Sequence, residues 1–407
     1  MFLLPTDNAR PALVLSASDL AAGSTCLFAL KRRLDVLTGR VPPPDRGDEM
    51  AELLRTRGVA HEYRVLDGFT RTRKVAGLTA PEGVFSRSLL ERAHAETLAA
   101  LASDAEVVYQ GSFFDGAFHG KADFLVREET GAWSVNDTKL ASKAKPEHRI
   151  QLAAYADQLT AAGIDVHPAA RVILRDGTAE ELDVAAILAE LHAVRARVVP
   201  ALRDHLESGT PAAWDADGGG ACRKADCPDC QDEIARSRDL LLVAGMPTAK
   251  KYRTLLRAAG IATVEDLAAA ELDSPDGKLA GLQDQARLQA GIGECDGEAG
   301  GVRYRVADRT ALEELPAPDP GDIFFDFEGD PNWRDPDGDT WGLEYLFGLL
   351  ARPLGDPEAD PEFVPLTAHT RAGGAGPLLP SCAWSPSAGR CIRGCGSTTT
   401  PITRRTP

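Results

Sequence analysis

Apolar and polar positions change period several times along the chain, and the changes mark its elements. Over 111–127, Phe, Val and Leu alternate with small or polar residues, which predicts a β-hairpin with its turn near Asp115-Gly116. A second strand is predicted over 132–140, ending Asn136-Asp137-Thr138-Lys139, and a third over 169–175, buried beside the first two. Helical spacing covers 146–161, 86–102 and 182–206, and a run beginning near Asp48 that carries His61 and Glu62. Ser18 reads as the N-cap of a helix reaching about Leu37, with Cys26 in its interior. Between 239 and 270 two short helices flank turns at Gly245 and Gly260-Ile261, and 278–293 reads as a weaker copy. Residues 295–321, rich in Gly, Pro, Glu and Asp, read as a linker. Apolar strands follow from 322 and over 341–350.

The two-residue strand period decides which polar side chains meet. Asp137 and Lys139 point the same way, and Asp123 on the preceding strand lies where it can face Asp137. Two facing carboxylates repel unless something positive lies between them, and a hard divalent cation with oxygen ligands is the usual answer. Such an ion makes a nucleophile of water and stabilises charge on a phosphate. Lys139 adds a fixed positive charge beside it. On the following helix, Gln151 and Tyr155 share a face.

Gly120-Lys121-Ala122-Asp123, Asp137-Thr138-Lys139 and Gln151-Leu152-Ala153-Ala154-Tyr155 occur in that order. They resemble the GxxD, (D/E)xK and QxxxY elements of the RecB-like branch of the PD-(D/E)XK nuclease superfamily. The resemblance implies an α/β restriction-endonuclease-like core, a mixed sheet flanked by helices. It implies hydrolysis of DNA with Mg²⁺ or Mn²⁺ held by Asp123 and Asp137, with Lys139, Gln151 and Tyr155 as further catalytic-site residues. Acting on DNA ends or single strands in repair or recombination also follows from the resemblance. The helix before the strands often supplies a further ligand in this branch; His61 matches best and Glu62 second.

Cysteines are unevenly spread. Cys222, Cys227 and Cys230 cluster, Cys26 lies far upstream, and Cys295 and three tail cysteines follow. Close spacing in a reducing compartment points to metal rather than disulfides. One N-terminal cysteine with three beyond the core resembles the Fe–S subgroup of RecB-like nucleases, which implies a 4Fe–4S cluster on Cys26, Cys222, Cys227 and Cys230. Four thiolates also suit tetrahedral Zn²⁺, so both remain open.

Net charge of −16 argues against binding nucleic acid mainly by bulk electrostatics. A local cluster, Lys139, Lys143, Lys145, His148 and Arg149, lies beside the expected site. The helical pair over 239–270 resembles a helix-hairpin-helix, in which Lys250, Lys251, Arg253 and Arg257 supply charge to a DNA backbone. Asp326 and Glu328, sharing a strand face, resemble the first motif of RNase H-like exonucleases, here an incomplete second site. The whole order resembles a bacterial family of RecB-like nucleases whose full-length members continue into a helicase. No GxxxxGK[ST] occurs here, so nothing of that helicase is present in these residues, and a helicase module or partner is expected.

These readings give a nuclease domain with a cysteine staple over 1–235, a helical region over 236–294, a linker over 295–321 and the start of an RNase H-like domain over 322–366. The segment 367–407 has no acidic residue, since Glu362 is the last, and is expected to be disordered, the product of a shifted reading frame. No apolar run approaches the roughly 20 residues of a membrane helix, and a secretory signal is lacking, so a cytoplasmic protein is expected. The competing reading is a non-catalytic DNA-binding or scaffold module with structural zinc or Fe–S.

Overall fold

The computed structural model describes residues 1–6, 11–44, 49–79, 81, 83–214, 227–248, 250–273, 276–306, 308–314, 317, 319, 321–335, 340–353, 356 and 358–370. Cys222 and most of the unusual tail lie outside them. The chain divides into two compact units, Met1–Arg305 and Val306–Pro407, and the boundary falls within the expected linker.

The first unit opens with a short antiparallel pair, β1 (Phe2–Leu4) and β2 (Ala12–Val14). Then come α1 (Ala17–Thr25), α2 (Leu27–Leu37), α3 (Glu49–Thr70), β3 (Val75–Gly77), α4 (Arg87–Ala102), β4 (Val107–Phe114), β5 (His119–Arg127) and β6 (Trp133–Thr138). Next are α5 (Pro146–Ala161), β7 (Ala169–Ile173), β8 (Ala179–Asp183), α6 (Val184–Ser208) and α7 (Pro228–Ser237). A helical region of α8 (Lys250–Ala258), α9 (Val264–Ala269) and α10 (Gly277–Gln289) ends in a hairpin of β9 (Gly297–Ala299) and β10 (Val302–Tyr304). The second unit holds α11 (Arg309–Glu313), β11 (Ile323–Arg334), β12 (Trp341–Ala351) and β13 (Glu362–Thr367).

Six strands form one sheet in the order β3-β4-β5-β6-β7-β8. The pairs β3–β4 and β6–β7 are parallel and the others antiparallel, so the sheet is mixed, as expected for a restriction-endonuclease-like core. The β6–α5–β7 connection is a crossover, which puts α5 on a sheet face. There its middle is largely buried, with Ile150, Leu152, Ala153, Ala154, Ala156 and Leu159 between the sheet and α1 and α6. Helix α3 covers the other face through Val65, Leu66 and Phe69, which pack on Val107, Phe124 and Val126.

Three expectations change. The expected helix from Ser18 is two helices: Ser16 is the N-cap of α1, its hydroxyl accepting from Asp19 N–H at 3.2 Å in a capping box. Cys26 lies at the break, in extended backbone (φ −147°, ψ 102°), and its sulfur caps α2 by accepting from Ala29 N–H at 3.4 Å. The poor helix formers Gly23-Ser24-Thr25 precede the break. The expected hairpin starts at Val107, earlier than 111, because β4 continues in register on both sides of Gln110. Part of the expected linker folds as β9 and β10, and residues 236–294 lie within the first unit.

Candidate active site

The site forms where the sheet's ladder stops. Strands β5 and β6 pair from Arg127↔Trp133 to Phe124↔Asn136, and one step further in that register Asp123 meets Asp137. There the Asp123 carboxylate replaces the ladder: its Oδ2 accepts from the Thr138 N–H at 2.9 Å and from the Thr138 hydroxyl at 2.9 Å. Beyond it, Lys139 N–H donates to Ile173 O at 2.9 Å and keeps β6 tied to β7. Strand alternation brings the Lys139 ammonium back onto Asp137, with which it forms an ion pair.

Charge is compressed here. Burial, then the neighbouring Asp137 charge, pushes Asp123 up from 3.8 to about 7, against the pull of Lys139 and Thr138. Burial works to lower the Lys139 ammonium, but Asp137, Asp123 and Glu62 outweigh it and its pKa stands above the ordinary value. Asp137 is 4% exposed, and its buried Oδ2 is met by the Lys139 ammonium. Two hard carboxylates side by side, one held by a single ammonium and the other destabilised as an anion, fit a divalent cation.

The surrounding motif residues fall into two groups. On α3, Glu62 feels Asp123: burial and then the Asp123 charge raise its pKa, while bonds from Tyr109 and Gln110 oppose them. The His61 ring is buried, with Nε2 3.4 Å from Ile173 O and Nδ1 3.4 Å from Arg64. On α5, Tyr155 is buried, and burial followed by the two aspartate charges raises its phenol above the ordinary value, against the Lys121 backbone bond. Its ring explains Gly120, because a Cβ there would lie 2.8 Å from a Tyr155 ring carbon and 2.8 Å from Phe118. Tyr155 therefore braces the strand that presents Asp123. Gln151 donates to the Ser18 hydroxyl at 3.3 Å and ties α5 to the start of α1.

The expected basic cluster is smaller than its sequence. Lys143 and Lys145 are exposed. Arg149 is held by Glu190 through two hydrogen bonds of 3.0 and 2.5 Å. His148 is buried; burial, then the Lys139 charge, lowers it to about 4, so it is neutral near pH 7. In the helical region Arg253 turns inward to Asp239, with bonds of 2.8 and 2.7 Å, and Arg257 joins at 3.2 Å. Lys251 is exposed with its Nζ 4.7 Å from the Tyr252 ring centroid, and the Lys250 side chain lies outside the described residues.

These shifts set a pH dependence for the protein without divalent metal. With its folded-state pKa raised to about 7, Asp123 binds more protons folded than unfolded above its ordinary 3.8, so its contribution to stability falls as pH rises through that window. His148, lowered from 6.5 to about 4, acts in the opposite sense over most of the same range. Comparison with Asp123→Asn isolates the carboxylate. Its stability relative to the wild type should rise between about pH 5 and about pH 8 by on the order of a few kcal/mol, seen as a growing difference in melting temperature. Thermal melts at the two pH values check this, and a constant margin would contradict it.

A second site lies at the α1–α2 break. Cys26, Cys227 and Cys230 are buried with ligand atoms all within 4.8 Å of one another, and Cys26 Sγ is 3.5 Å from Cys230 Sγ. Among the described residues they are the group of three such ligands drawn this close; His61, Asp123 and Asp137 are not. Cys227 is the N-cap of α7, which carries Cys230, so two helix starts converge. The Cys227 bond raises the Cys26 thiol to about 12, with burial adding to it, and the bonds from Cys227 and Cys26 likewise raise Cys230. A thiophilic cation reverses that preference by taking thiolates, and this compact buried donor set fits one.

In the second unit, β11, β12 and β13 form an antiparallel sheet in which Asp326 stands opposite Gly348 and Glu328 opposite Leu346. Both acids are exposed on one strand face, as expected. No helix among the described residues is long and apolar enough to cross a membrane.

Residues 15–231 match the family model of the PD-(D/E)XK nuclease superfamily. That span begins before α1 and ends just after Cys230, so it takes in both the paired aspartates and the cysteine site. Among curated proteins none matches the chain.

Proposed function

The chain belongs to the PD-(D/E)XK nuclease superfamily, whose members are metal-dependent nucleases, and from that membership we propose a Mg²⁺- or Mn²⁺-dependent deoxyribonuclease of the RecB-like branch. It acts on DNA ends or single strands, in repair or recombination. The observation that carries this reading is the buried Asp123–Asp137 pair with Lys139 ion-paired to it at the edge of an interrupted ladder. When bound, a divalent cation there supplies Lewis-acid polarisation of the phosphate and a water of lowered pKa. Asp123 and Asp137 hold it, and Glu62 or His61 on α3 completes the oxygen or nitrogen donors. Lys139 presents its ammonium to the attacking water and to the scissile phosphate, where negative charge builds as the P–O bond to the leaving oxygen breaks. Tyr155 and Gln151 hold β5 and α5 in place around these groups.

Lys143, Lys145 and, once released from Glu190, Arg149 contact the DNA backbone beside the site. Lys250 and Lys251 do so from a helix-hairpin-helix. The cysteine site carries a 4Fe–4S cluster or Zn²⁺ as a structural staple, with Cys222 as fourth ligand. Residues 322–366 are the opening of an RNase H-like domain with Asp326 and Glu328 as its first acidic motif, and a helicase module or partner acts with the nuclease.

End-labelled linear single-stranded DNA with Mg²⁺ or Mn²⁺ tests the activity. Wild type should shorten it and Asp137→Ala should not, while a closed circular single strand survives if ends are required. Equal degradation by the two proteins would remove the assignment.

A further inference from the structure

Strand β4 carries an irregularity facing the paired acids. Its register with β5 is the same on both sides, Tyr109↔Phe124 and Gly111↔Ala122, which sets Gln110 opposite Asp123. Yet Gln110 adopts φ +62°, a left-handed conformation that is uncommon for a non-glycine residue. The side-chain phase of both strands switches there. Val107, Tyr109, Phe124 and Val126 pack under α3, whereas Phe113 and Ala122 join the main core. The turned backbone carries the Gln110 side chain, which is 9% exposed, to α3, where its amide donates to Glu62 Oε1. The Tyr109 phenol bonds to the same carboxylate. Strained backbone of this kind persists where surrounding structure holds it and is concentrated at functional sites.

Resting on the nuclease reading above, the geometry points to Gln110 as a positioning residue of the active site: its left-handed backbone, opposite Asp123 in the sheet, aims its amide at Glu62 and fixes the orientation of that carboxylate. Gln110 touches neither substrate nor cation. It acts through Glu62, as outer-shell partners orient the groups that meet a metal. The apolar packing of β4 does not require glutamine, since neighbouring residues fill both faces. The left-handed conformation alone would suit glycine better.

Gln110→Gly separates the two properties, because glycine tolerates the backbone and lacks the amide. The full chain should keep its melting temperature, while the Mn²⁺ concentration for half-maximal DNA cleavage rises about 10–100-fold with kcat at saturating Mn²⁺ little changed. Direct Mn²⁺ calorimetry should weaken by the same factor. Glu62→Gln should weaken it comparably, and the double variant should be no worse than Glu62→Gln alone, since Gln110 acts through that carboxylate. Unchanged Mn²⁺ dependence in Gln110→Gly, or additive losses in the double variant, would overturn the inference while leaving the nuclease reading intact. A wild type that binds no Mn²⁺ would overturn that reading, and this inference with it.

Discussion

Replacing Lys139 with alanine should lower kcat for DNA cleavage by about 10²–10³-fold, the usual cost of removing one preorganised charge or donor aimed at a developing anion. The fold should survive, because Lys139 lies at the end of β6 and its ladder bond to Ile173 uses the backbone N–H. Divalent-cation affinity should hold or rise, since the ammonium occupies the Asp137 oxygen that a cation would take. That combination, slow turnover with undiminished metal binding, distinguishes Lys139 from the acids it pairs with. Lys139→Arg should not restore the rate, because a planar guanidinium cannot reproduce a compact ammonium. Steady-state kinetics with a Mn²⁺ titration checks both parts, and a kcat within about threefold of wild type would contradict the assignment.

Cys26→Ala should have the largest effect on stability. Cys26 and Cys230 are separated by 204 positions, so a metal held between them closes a loop that includes the whole sheet. Closing so long a loop removes much unfolded-chain freedom, and a structural metal contributes its binding free energy to folding. Loss of about 3 kcal/mol or more is expected, roughly 5 °C or more in melting temperature. The wild type should purify with stoichiometric metal, brown if iron and sulfide are bound and colourless if zinc is. Cys26→Ala should lose it. Metal analysis and melts decide this; full metal content with an unchanged melt would leave the cysteines as buried thiols only.

Much of the centre of the fold was legible along the chain because alternation and apolar runs carry direct signals. The hairpin turn at Asp115-Gly116 and strand β6 with Asp137 and Lys139 on one side follow local signals, and the apolar run from Leu152 to Ala156 marks helix α5. Edge strands gave less signal. In Ala179–Asp183 only Leu182 is buried, so there is no apolar alternation to detect. A single extended residue at Cys26 broke one predicted helix, with only Gly23-Ser24-Thr25 as a cue.

Charge partners were the least visible. Arg149 meets Glu190 from 41 positions away and Arg253 meets Asp239 from 14, so residues that sequence suggested for DNA contact are partly committed within the fold. His148 counts as basic by composition, but burial and the Lys139 charge keep it neutral. Nothing in the local sequence distinguished Gln110 from an ordinary strand residue, since its left-handed backbone follows from the tertiary meeting of β4, β5 and α3. Gly120 belonged to a recognised motif, but its reason, the Tyr155 ring lying against it, came only with the structure.

Mn²⁺ calorimetry on wild type and Asp137→Asn tests the central claim most directly, because that change removes one carboxylate charge at nearly constant shape. Saturable binding by the wild type, at least about 10-fold weaker in Asp137→Asn, is the predicted result. Equal affinity in the two proteins would show that the paired acids do not form the metal site.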